Sequence, residues 1–366
     1  GWTRSSPAGT LDLPQTNNPG GNLLRATTLA AVAAACSFTA VNSIAATKFE
    51  FTSLGPGSQA VALNEGRAVL ANFDTGPAVW ANGTKHNLAV PGALDYQLYD
   101  IGPNGTAVGR LSGFATAWEG GSPRKLGPGV AIEISQTGVI VGTAIWDGAV
   151  TTPTPDFLTV GISRNGLMVG VDDYGGAGKP VVALWDGATH TALHQPSGTN
   201  FASVQALSIN SSGLVVGLSA PNNTPWSFRA TYWNNGDATG QRLPTFMPWA
   251  TTESAAWDVN DAGTIVGYAE RPASRSAVLW SGGAIIDLND YIDPALKADG
   301  WTMYEALSIN DRGDVVGNMI RLGDDAQMGF VLTVVPEPST WALWAGGALL
   351  LAARRFRSGG RSQPAA

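Results

Sequence analysis

Short apolar runs on either side of a tight polar turn recur along this chain. The clearest copy is ALSINDRGDVVG at residues 306–317, and close variants begin at Ala206 and Ala256. Asn suits such a turn because its side chain can bond the nearby backbone, and Gly suits it because Gly accepts positive φ. The pattern predicts a β-hairpin in each copy. The turn and closing residues of the three copies are Asn210, Gly213 and Gly217; Asn260, Gly263 and Gly267; and Asn310, Gly313 and Gly317.

Weaker copies of the same hairpin begin at Asp100, Glu133 and Gly161. A degenerate copy begins at Ala62, with a turn that reads one residue short and no closing Gly, so the register of this first unit stays open. Seven copies at a spacing of tens of residues indicate one supersecondary unit repeated seven times. The closing glycines of the other six units are Gly109, Gly142, Gly170, Gly217, Gly267 and Gly317.

Each hairpin is followed by an aliphatic strand that ends in an aromatic residue, and then by a short fourth strand such as AIIDLND at Ala284. We predict that these aromatic residues lie in the core. They are Trp80, Trp118, Trp146, Trp185, Trp233 and Trp280, with Phe330 in the seventh unit.

Four short antiparallel strands per unit and seven units predict an all-β fold, a seven-bladed β-propeller, because each small sheet needs a neighbour on both faces. The composition agrees, since 46 Gly, 22 Pro and only 13% charged residues favour turns over long helices. The last unit stops after its third strand, whereas residues 48–55 form an unmatched strand before the first hairpin. We therefore expect the N-terminal strand to close the ring, in a propeller domain of residues 47–335.

The N-terminal end has the features of a targeting segment. Residues 23–46 combine Arg25, an apolar run and small residues near Ala46, which predicts a secretory signal peptide with the mature chain starting near Thr47. Residues 1–22 are rich in Pro and Gly and are read as an unstructured or mis-annotated start. The alternative of a lipoprotein at Cys36 is weaker, because Ala33 stands where a larger aliphatic residue is usual.

The C-terminal end, residues 336–366, has three parts in order. Thirteen apolar residues, 341–353, would span about 20 Å as a helix, less than the roughly 30 Å hydrocarbon core, so we predict a short, transient membrane anchor. The motif and basic residues around it are Pro336, Glu337, Pro338, Arg354, Arg355 and Arg357. This arrangement resembles the PEP-CTERM sorting signal of Gram-negative bacteria. The resemblance implies export across the inner membrane and recognition by an exosortase-type protease after signal peptidase has acted, with surface attachment or release. An ordinary tail anchor is the alternative.

The repeated unit S-I-N-D-x-G-x-V-V-G, with its later A-x-L-W and D-L, resembles the HAF-type bacterial extracellular repeat. The resemblance covers nearly all of residues 48–335 and is closest in the fifth to seventh copies. No activity of that family can be carried over, so the likeness implies a fold and an extracellular location.

Charge and residue chemistry narrow the function further. The two ends hold six of the 21 Lys and Arg and two of the 28 Asp and Glu, which leaves residues 47–335 with a net charge of −11 and argues against nucleic-acid binding.

The single cysteine lies in the expected signal peptide. His190 and His194 would stand about 13 Å apart on an extended strand, too far to share one metal ion. No catalytic or metal-ligating residue is assigned, and no cofactor is expected. Calcium in the turns near Asp258 and Ile309 of the last two units is the alternative.

Three tryptophans outside the repeated slot lie in longer connections that read as loops. They are Trp226, Trp249 and Trp301. Exposed aromatic rings on such loops can stack on sugar faces, although packing between blades is the alternative. We therefore predict an exported, cell-surface or matrix propeller that acts as a binding or scaffold module, with exopolysaccharide as the candidate ligand. The competing hypothesis is a polysaccharide-cleaving enzyme with paired carboxylates in the propeller channel.

Overall fold

Seven four-stranded antiparallel sheets form a seven-bladed β-propeller. The computed structural model describes residues 48–335 apart from 93–94, 155–156, 173–180, 195–203, 221–227, 236, 248–251 and 273. The predicted signal peptide, the sorting tail and residues 1–22 lie outside this part of the chain. No helix in the described ranges is both long and apolar enough to cross a membrane.

Each blade contains four strands in chain order, numbered β1 to β28 along the sequence. Blade 1 comprises β2 (Ser58–Leu63), β3 (Val69–Phe73), β4 (Gly76–Ala81) and β5 (Thr84–Asn87); blade 2 comprises β6 (Tyr96–Ile101), β7 (Ala107–Leu111), β8 (Phe114–Glu119) and β9 (Ser122–Pro128). Blade 3 comprises β10 (Ala131–Ile134), β11 (Ile140–Gly142), β12 (Ala144–Asp147) and β13 (Val150–Pro153); blade 4 comprises β14 (Phe157–Ile162), β15 (Met168–Asp172), β16 (Val181–Trp185) and β17 (His190–Ala192). Blade 5 comprises β18 (Val204–Ile209), β19 (Val215–Ser219), β20 (Arg229–Trp233) and β21 (Gln241–Arg242); blade 6 comprises β22 (Ser254–Val259), β23 (Ile265–Arg271), β24 (Ser274–Ser281) and β25 (Ala284–Asp287).

Blade 7 is built from both ends of the propeller. It contains β26 (Trp301–Ile309), β27 (Val315–Arg321) and β28 (Gln327–Val335), and β1 (Lys48–Pro56) pairs antiparallel with β28 as the outermost strand. Lys48 lies opposite Val335 in this register. The predicted closure by the N-terminal strand is therefore confirmed.

An apolar cluster lies between every pair of adjacent blades, including blades 7 and 1. At that last interface Leu54, Ala60 and Val69 pack against Val316 and Val331. A closed ring of this kind buries both faces of each sheet, which a single blade cannot do alone.

The closing glycine of the repeat is explained by a β-bulge in the first strand of each blade. In blade 6 the register shifts between Ala256 and Asp258, so Trp257 is the extra residue. A Cβ on Gly267 would lie 1.9 Å from the carbonyl oxygen of Ala255. The bulge brings this backbone oxygen too close for a side chain, and so Gly is favoured there.

Blade 1 follows the same plan, and the expectation of a shortened turn is wrong. Leu63 pairs with Val69 across a turn of the same length as those of the other blades. Arg67 takes the position held elsewhere by the turn glycine, with φ of 64°. Ala71 stands at the closing-glycine position opposite Ala60, so the register matches that of the other units.

The repeated tryptophans occupy one position in the third strand of each blade. Trp118, Trp233 and Trp280 are almost fully buried, as predicted. In blade 7 this register position, opposite Val315, belongs to Leu332, whereas Phe330 lies opposite Gly317. Both side chains are buried, so Phe330 is a core residue but not the register equivalent of the tryptophans.

The connection from blade 6 to blade 7 contains the helical segments of the described chain. A 3-10 turn covers Leu288–Tyr291, and α1 covers Pro294–Ala298. Asp287 and Asp293 cap them by accepting hydrogen bonds from Asn289 and Ala295 backbone N–H groups.

Candidate functional site in the central channel

The first strands of all seven blades line a central channel with a cavity of about 250 Å³. Three positions of the repeat contribute to its wall in most blades: the bulge residue, the residue after it, and the second residue of the turn. Because the repeats are aligned around the axis, each position forms a ring of up to seven side chains.

The bulge residues form an apolar ring. Its members are partly exposed to the channel, and Tyr99 is the most open at 38%. An extra residue in a strand is re-aimed by the bulge, which is why these side chains turn toward the axis. The ring consists of Val61, Tyr99, Ile132, Val160, Leu207, Trp257 and Leu307.

The next position holds the carboxyl groups of the channel. Blades 2, 3 and 6 have acids there, blades 5 and 7 have serines, and blades 1 and 4 have small residues. We call this set, defined by its place in the register directly after each bulge, the carboxyl ring: Ala62, Asp100, Glu133, Gly161, Ser208, Asp258 and Ser308.

Each acid of the carboxyl ring binds the backbone of the following blade. Asp100 accepts a hydrogen bond from the N–H of Ile134 at 2.9 Å, and Asp258 accepts one from Ile309 at 2.9 Å. Glu133 accepts one from Ile162 in the same way. Asp258 also accepts a hydrogen bond of 2.7 Å from the Ser208 hydroxyl of the preceding blade. These carboxyls therefore link neighbouring blades at the axis.

The protein environment favours the protonated form of these acids. Enclosure away from water raises the pKa of Asp100 to about 6, and the nearby Asp258 charge adds to this effect. The same desolvation raises the pKa of Glu133 well above its usual value, with further contributions from Asp100 and Asp258. Desolvation also raises the pKa of Asp258. In all three the backbone hydrogen bonds act in the opposite direction.

One mouth of the channel is formed by the hairpin turns, whose lining residues include three acids, Glu65, Asp261 and Asp311, and one arginine. The guanidinium of Arg164 from blade 4 lies 2.9 Å from Asp311 and 3.8 Å from Asp261. Hydrogen bonds also join the turns to one another. The backbone N–H of Asp261 donates to the Asp311 carboxylate at 2.8 Å, and the backbone N–H of Asp311 donates to the Glu65 carboxylate at 2.9 Å. Arg164 thus bridges blades 6 and 7 from a third blade.

The turn asparagines form a second set of links between blades. Asn210 donates to the carbonyl of Asn260 at 3.0 Å, and Asn260 donates to that of Asn310 at 3.0 Å. Asn310 donates to the carbonyl of Asn64 at 3.3 Å, which continues the chain of bonds across the closure of the ring. The Asn in the motif therefore caps its own turn and reaches the next blade.

Near the proposed calcium positions, the side-chain oxygens of Asn260 and Asn310 already accept hydrogen bonds from the backbone of their own turns. Asn260 Oδ1 accepts from the N–H of Thr264 at 2.9 Å, and Asn310 Oδ1 accepts from Arg312 and Asp314 at 3.1 and 2.9 Å. Gly313 has φ of 85°, as its turn position requires. Within the described ranges no three His, Cys, Asp or Glu side chains are grouped to hold a metal ion.

Of the three tryptophans predicted to bind ligand, only Trp301 lies in the described part of the chain. It begins β26 instead of lying in a loop, and it is 6% exposed. The strand has an additional bulge between Met303 and Glu305, and the indole packs in the core between blades 6 and 7. The loop assignment for Trp301 is therefore wrong. Trp226 and Trp249 lie outside the described residues, as do the sorting-motif residues.

The carboxyl ring was not identified from the sequence, although a signal for it exists. Aligning the repeats on the aliphatic residue that precedes the turn, such as Ile101, Ile134 and Val259, places Asp100, Glu133 and Asp258 at one position, immediately before that residue. A position that alternates between acids, serines and small residues while its neighbours stay apolar indicates a shared polar environment.

Comparisons with known proteins give one family profile and several solved structures of low similarity. The profile of one family, described as "Protein of unknown function (DUF3466)", matches residues 187–327. A search of curated proteins gives no significant match.

Among solved structures, TolB from Acinetobacter baumannii is 12% identical with a TM-score of 0.35, covering 75% of this chain and 63% of the TolB chain. The WD40 domain of Toxoplasma gondii coronin is 9% identical with a TM-score of 0.44, covering 80% of this chain and 88% of that one. A hypothetical protein from Leishmania major is 12% identical with a TM-score of 0.28, covering 69% and 90%.

Proposed function

We propose that this protein is a binding or scaffold module whose rigid propeller holds ligand-binding loops in place. The observation that carries the proposal is the hydrogen bonding of the channel acids. Because Asp100, Glu133 and Asp258 each accept a backbone N–H from the next blade, the ionisable groups at the axis are used to hold the ring together. Rigid scaffolds of this kind commonly carry function on their loops.

We further propose export to the cell surface or matrix and contact with exopolysaccharide. The support is the sequence of the two ends and the two tryptophans in long connections, Trp226 and Trp249. Stacking on a sugar falls to these two, since Trp301 exposes little of its ring.

A glycan array probed with the purified protein tests the ligand class. We expect Trp226→Ala and Trp249→Ala to weaken binding and the matched Trp→Phe variants to retain most of it, because Phe keeps an aromatic face. Absence of binding by the parent protein would remove the carbohydrate proposal, while equal loss in the Ala and Phe variants would point away from stacking.

The enzyme alternative is favoured by one observation, the convergence of three carboxyls in a cavity. Glycoside hydrolysis commonly uses two carboxyl groups, one of them with a raised pKa. Under the binding proposal, incubation with bacterial exopolysaccharides releases no reducing ends. Release that is lost in Glu133→Gln, with thermal stability no lower than that of the parent, would instead support the enzyme.

A further inference from the structure

A cavity of about 220 Å³ lies between blades 4 and 5, on the side of the hairpin turns. Its floor is apolar, because side chains of the core cluster between the two blades reach it. They are Leu167, Leu184 and Leu193 from blade 4 and Val215 and Trp233 from blade 5. A cavity of about 150 Å³ holds a benzene ring, so this one has room for a six-membered ring with its substituents.

The rim of this cavity is polar and comes from the connections β16–β17 and β20–β21. Asp186 and Thr191 contribute from blade 4, and Asn234, Asn235 and Asp237 contribute from blade 5. Apart from Asp186, these side chains have no hydrogen-bond partner among the described residues. An apolar floor with a few polar groups around it is the usual composition of a small-molecule site.

Two of the rim groups are carboxylates without a cation. Asp186 accepts hydrogen bonds from the backbone N–H groups of Ala188 and Thr189 at 2.8 and 2.7 Å, and one from the Thr189 hydroxyl at 2.9 Å. These bonds, above all the one from the Thr189 N–H, lower the pKa of Asp186 and keep its carboxylate ionised. Neither Asp186 nor Asp237 forms an ion pair with a described residue, and the described lining of the cavity contains no Lys, Arg or His.

Cavities at two other blade interfaces have a different charge. The one between blades 2 and 3 contains Arg124, and the one between blades 6 and 7 contains Arg312. Of these three cavities, the one between blades 4 and 5 thus has carboxylates and no basic group in its described lining. A ligand that brings its own cation would pair with these carboxylates by charge-assisted hydrogen bonds.

We propose that this cavity binds an amino-sugar residue of a polysaccharide, with the protonated amine paired to the carboxylates of Asp186 and Asp237. The C–H groups of the sugar ring face the leucine floor, and its hydroxyl groups bond the free amides of Asn234 and Asn235. Hydrogen bonds between charged groups are about twice as strong as neutral ones, so the amine selects this sugar over a neutral one. The net charge of −11 over residues 47–335 also favours a cationic polysaccharide over an anionic one.

The inference rests on the proposed binding function, to which it adds a sugar class and a second site. The cavity and the connection that contains Trp226 are at opposite ends of β19, because Val215 begins this strand and Ser219 ends it. Loss of one site can therefore be measured separately from loss of the other.

Isothermal titration of the full chain with a glucosamine tetramer, and with the N-acetylated tetramer as the matched neutral ligand, tests the sugar class. We expect the parent protein to bind the glucosamine tetramer roughly tenfold more tightly, because acetylation removes the charge that the carboxylates pair with. Equal affinity for the two tetramers would overturn the proposal.

Charge-neutral variants test the site itself. Asp237→Asn and Asp186→Asn should each weaken binding of the glucosamine tetramer by roughly threefold or more. Asp147→Asn is the matched control, since Asp147 follows Trp146 as Asp186 follows Trp185 but does not line a cavity of this kind. An effect of Asp147→Asn as large as that of Asp237→Asn would mean general charge attraction and would contradict the assigned site.

The tryptophan variants separate this inference from the proposed function. Binding of the glucosamine tetramer that persists in Trp226→Ala and Trp249→Ala and weakens in Asp237→Asn supports the cavity. Binding that is lost in the tryptophan variants and unchanged in Asp237→Asn overturns the cavity and leaves the proposed function in place. A parent protein that binds no glycan at all removes both.

Discussion

Arg67 and Asp314 join the first and last blades through two hydrogen bonds, Nε to Oδ2 at 2.8 Å and a terminal guanidinium nitrogen to Oδ1 at 3.2 Å. Asp314 is fully buried and also accepts bonds from the N–H of Val334 and the side chain of Asn310. The contact explains why blade 1 has arginine at the turn position where other blades have glycine. Arg67 is less suited than glycine to the positive φ of this turn, but its side chain links the first and last blades.

Removing the Arg67 side chain should destabilise the closed ring. We expect Arg67→Ala to lower the free energy of unfolding by about 1–3 kcal/mol, because the buried Asp314 carboxylate loses its cation. Arg67→Gly should cost less, since Gly relieves the positive φ. The exposed pair of Arg124 and Glu119 is the control, and Arg124→Ala should change stability by less than about 1 kcal/mol. Denaturant unfolding measures all three, and an Arg67 effect no larger than that of Arg124 would count against a role in closure.

The closing strand should be required for the last blade. Deletion of residues 47–55 removes most of β1 and leaves the edge of β28 unpaired. We expect a lower melting temperature and loss of amide-exchange protection in β27 and β28, with protection in blades 3 and 4 retained. Thermal melting identical to that of the parent would argue against closure by this strand.

The closing glycine should be more sensitive to substitution than the turn glycine of the same blade. Gly267→Ala forces the Ala255 carbonyl to move, and we expect a loss of about 1–3 kcal/mol in unfolding free energy. A Cβ on residue 263 would have its nearest contact at 3.8 Å, so Gly263→Ala costs only what the positive φ costs, about 1 kcal/mol. Blade 1 accommodates Ala71 at the equivalent position, which shows that the sheet can adjust. A smaller effect for Gly267 than for Gly263 would contradict the bulge explanation.

The hairpins, the tryptophan positions and the closing strand could be predicted because each depends on local patterns. Asn and Gly mark the turns, apolar residues mark the strands, and the count of strands leaves one without a partner. Trp301 could not be placed this way, because its strand has a second bulge that the repeat pattern lacks and its indole packs in the core between blades 6 and 7. The convergence of Asp100, Glu133 and Asp258 is also a property of the closed ring, since these residues lie far apart in the sequence and meet only when the blades close around the axis.

The pH dependence of stability follows from the raised pKa values of these acids. A carboxyl whose pKa is higher in the folded state stabilises the fold when protonated, and that contribution is lost as the pH rises from the unfolded value toward the folded one. For Asp100 this window extends from about 4 to about 6. The channel acids should therefore make the propeller less stable at pH 7.5 than near pH 4.5. Asp186 and Asp324 act in the opposite sense, because their pKa values are lowered in the folded protein and their ionised forms stabilise it.

The most direct test of the channel as a structural element is the unfolding free energy of Glu133→Gln at pH 7.5. Gln keeps a carbonyl for the Ile162 N–H and cannot ionise, so it avoids the cost that desolvation and the Asp100 and Asp258 charges impose on a carboxyl at this pH. We therefore predict a gain of about 1 kcal/mol or more and a flatter pH profile. Glu119→Gln on the surface should leave both unchanged. A loss of stability in Glu133→Gln at pH 7.5 would contradict the account, because it would mean that the ring needs a charged carboxylate at this position.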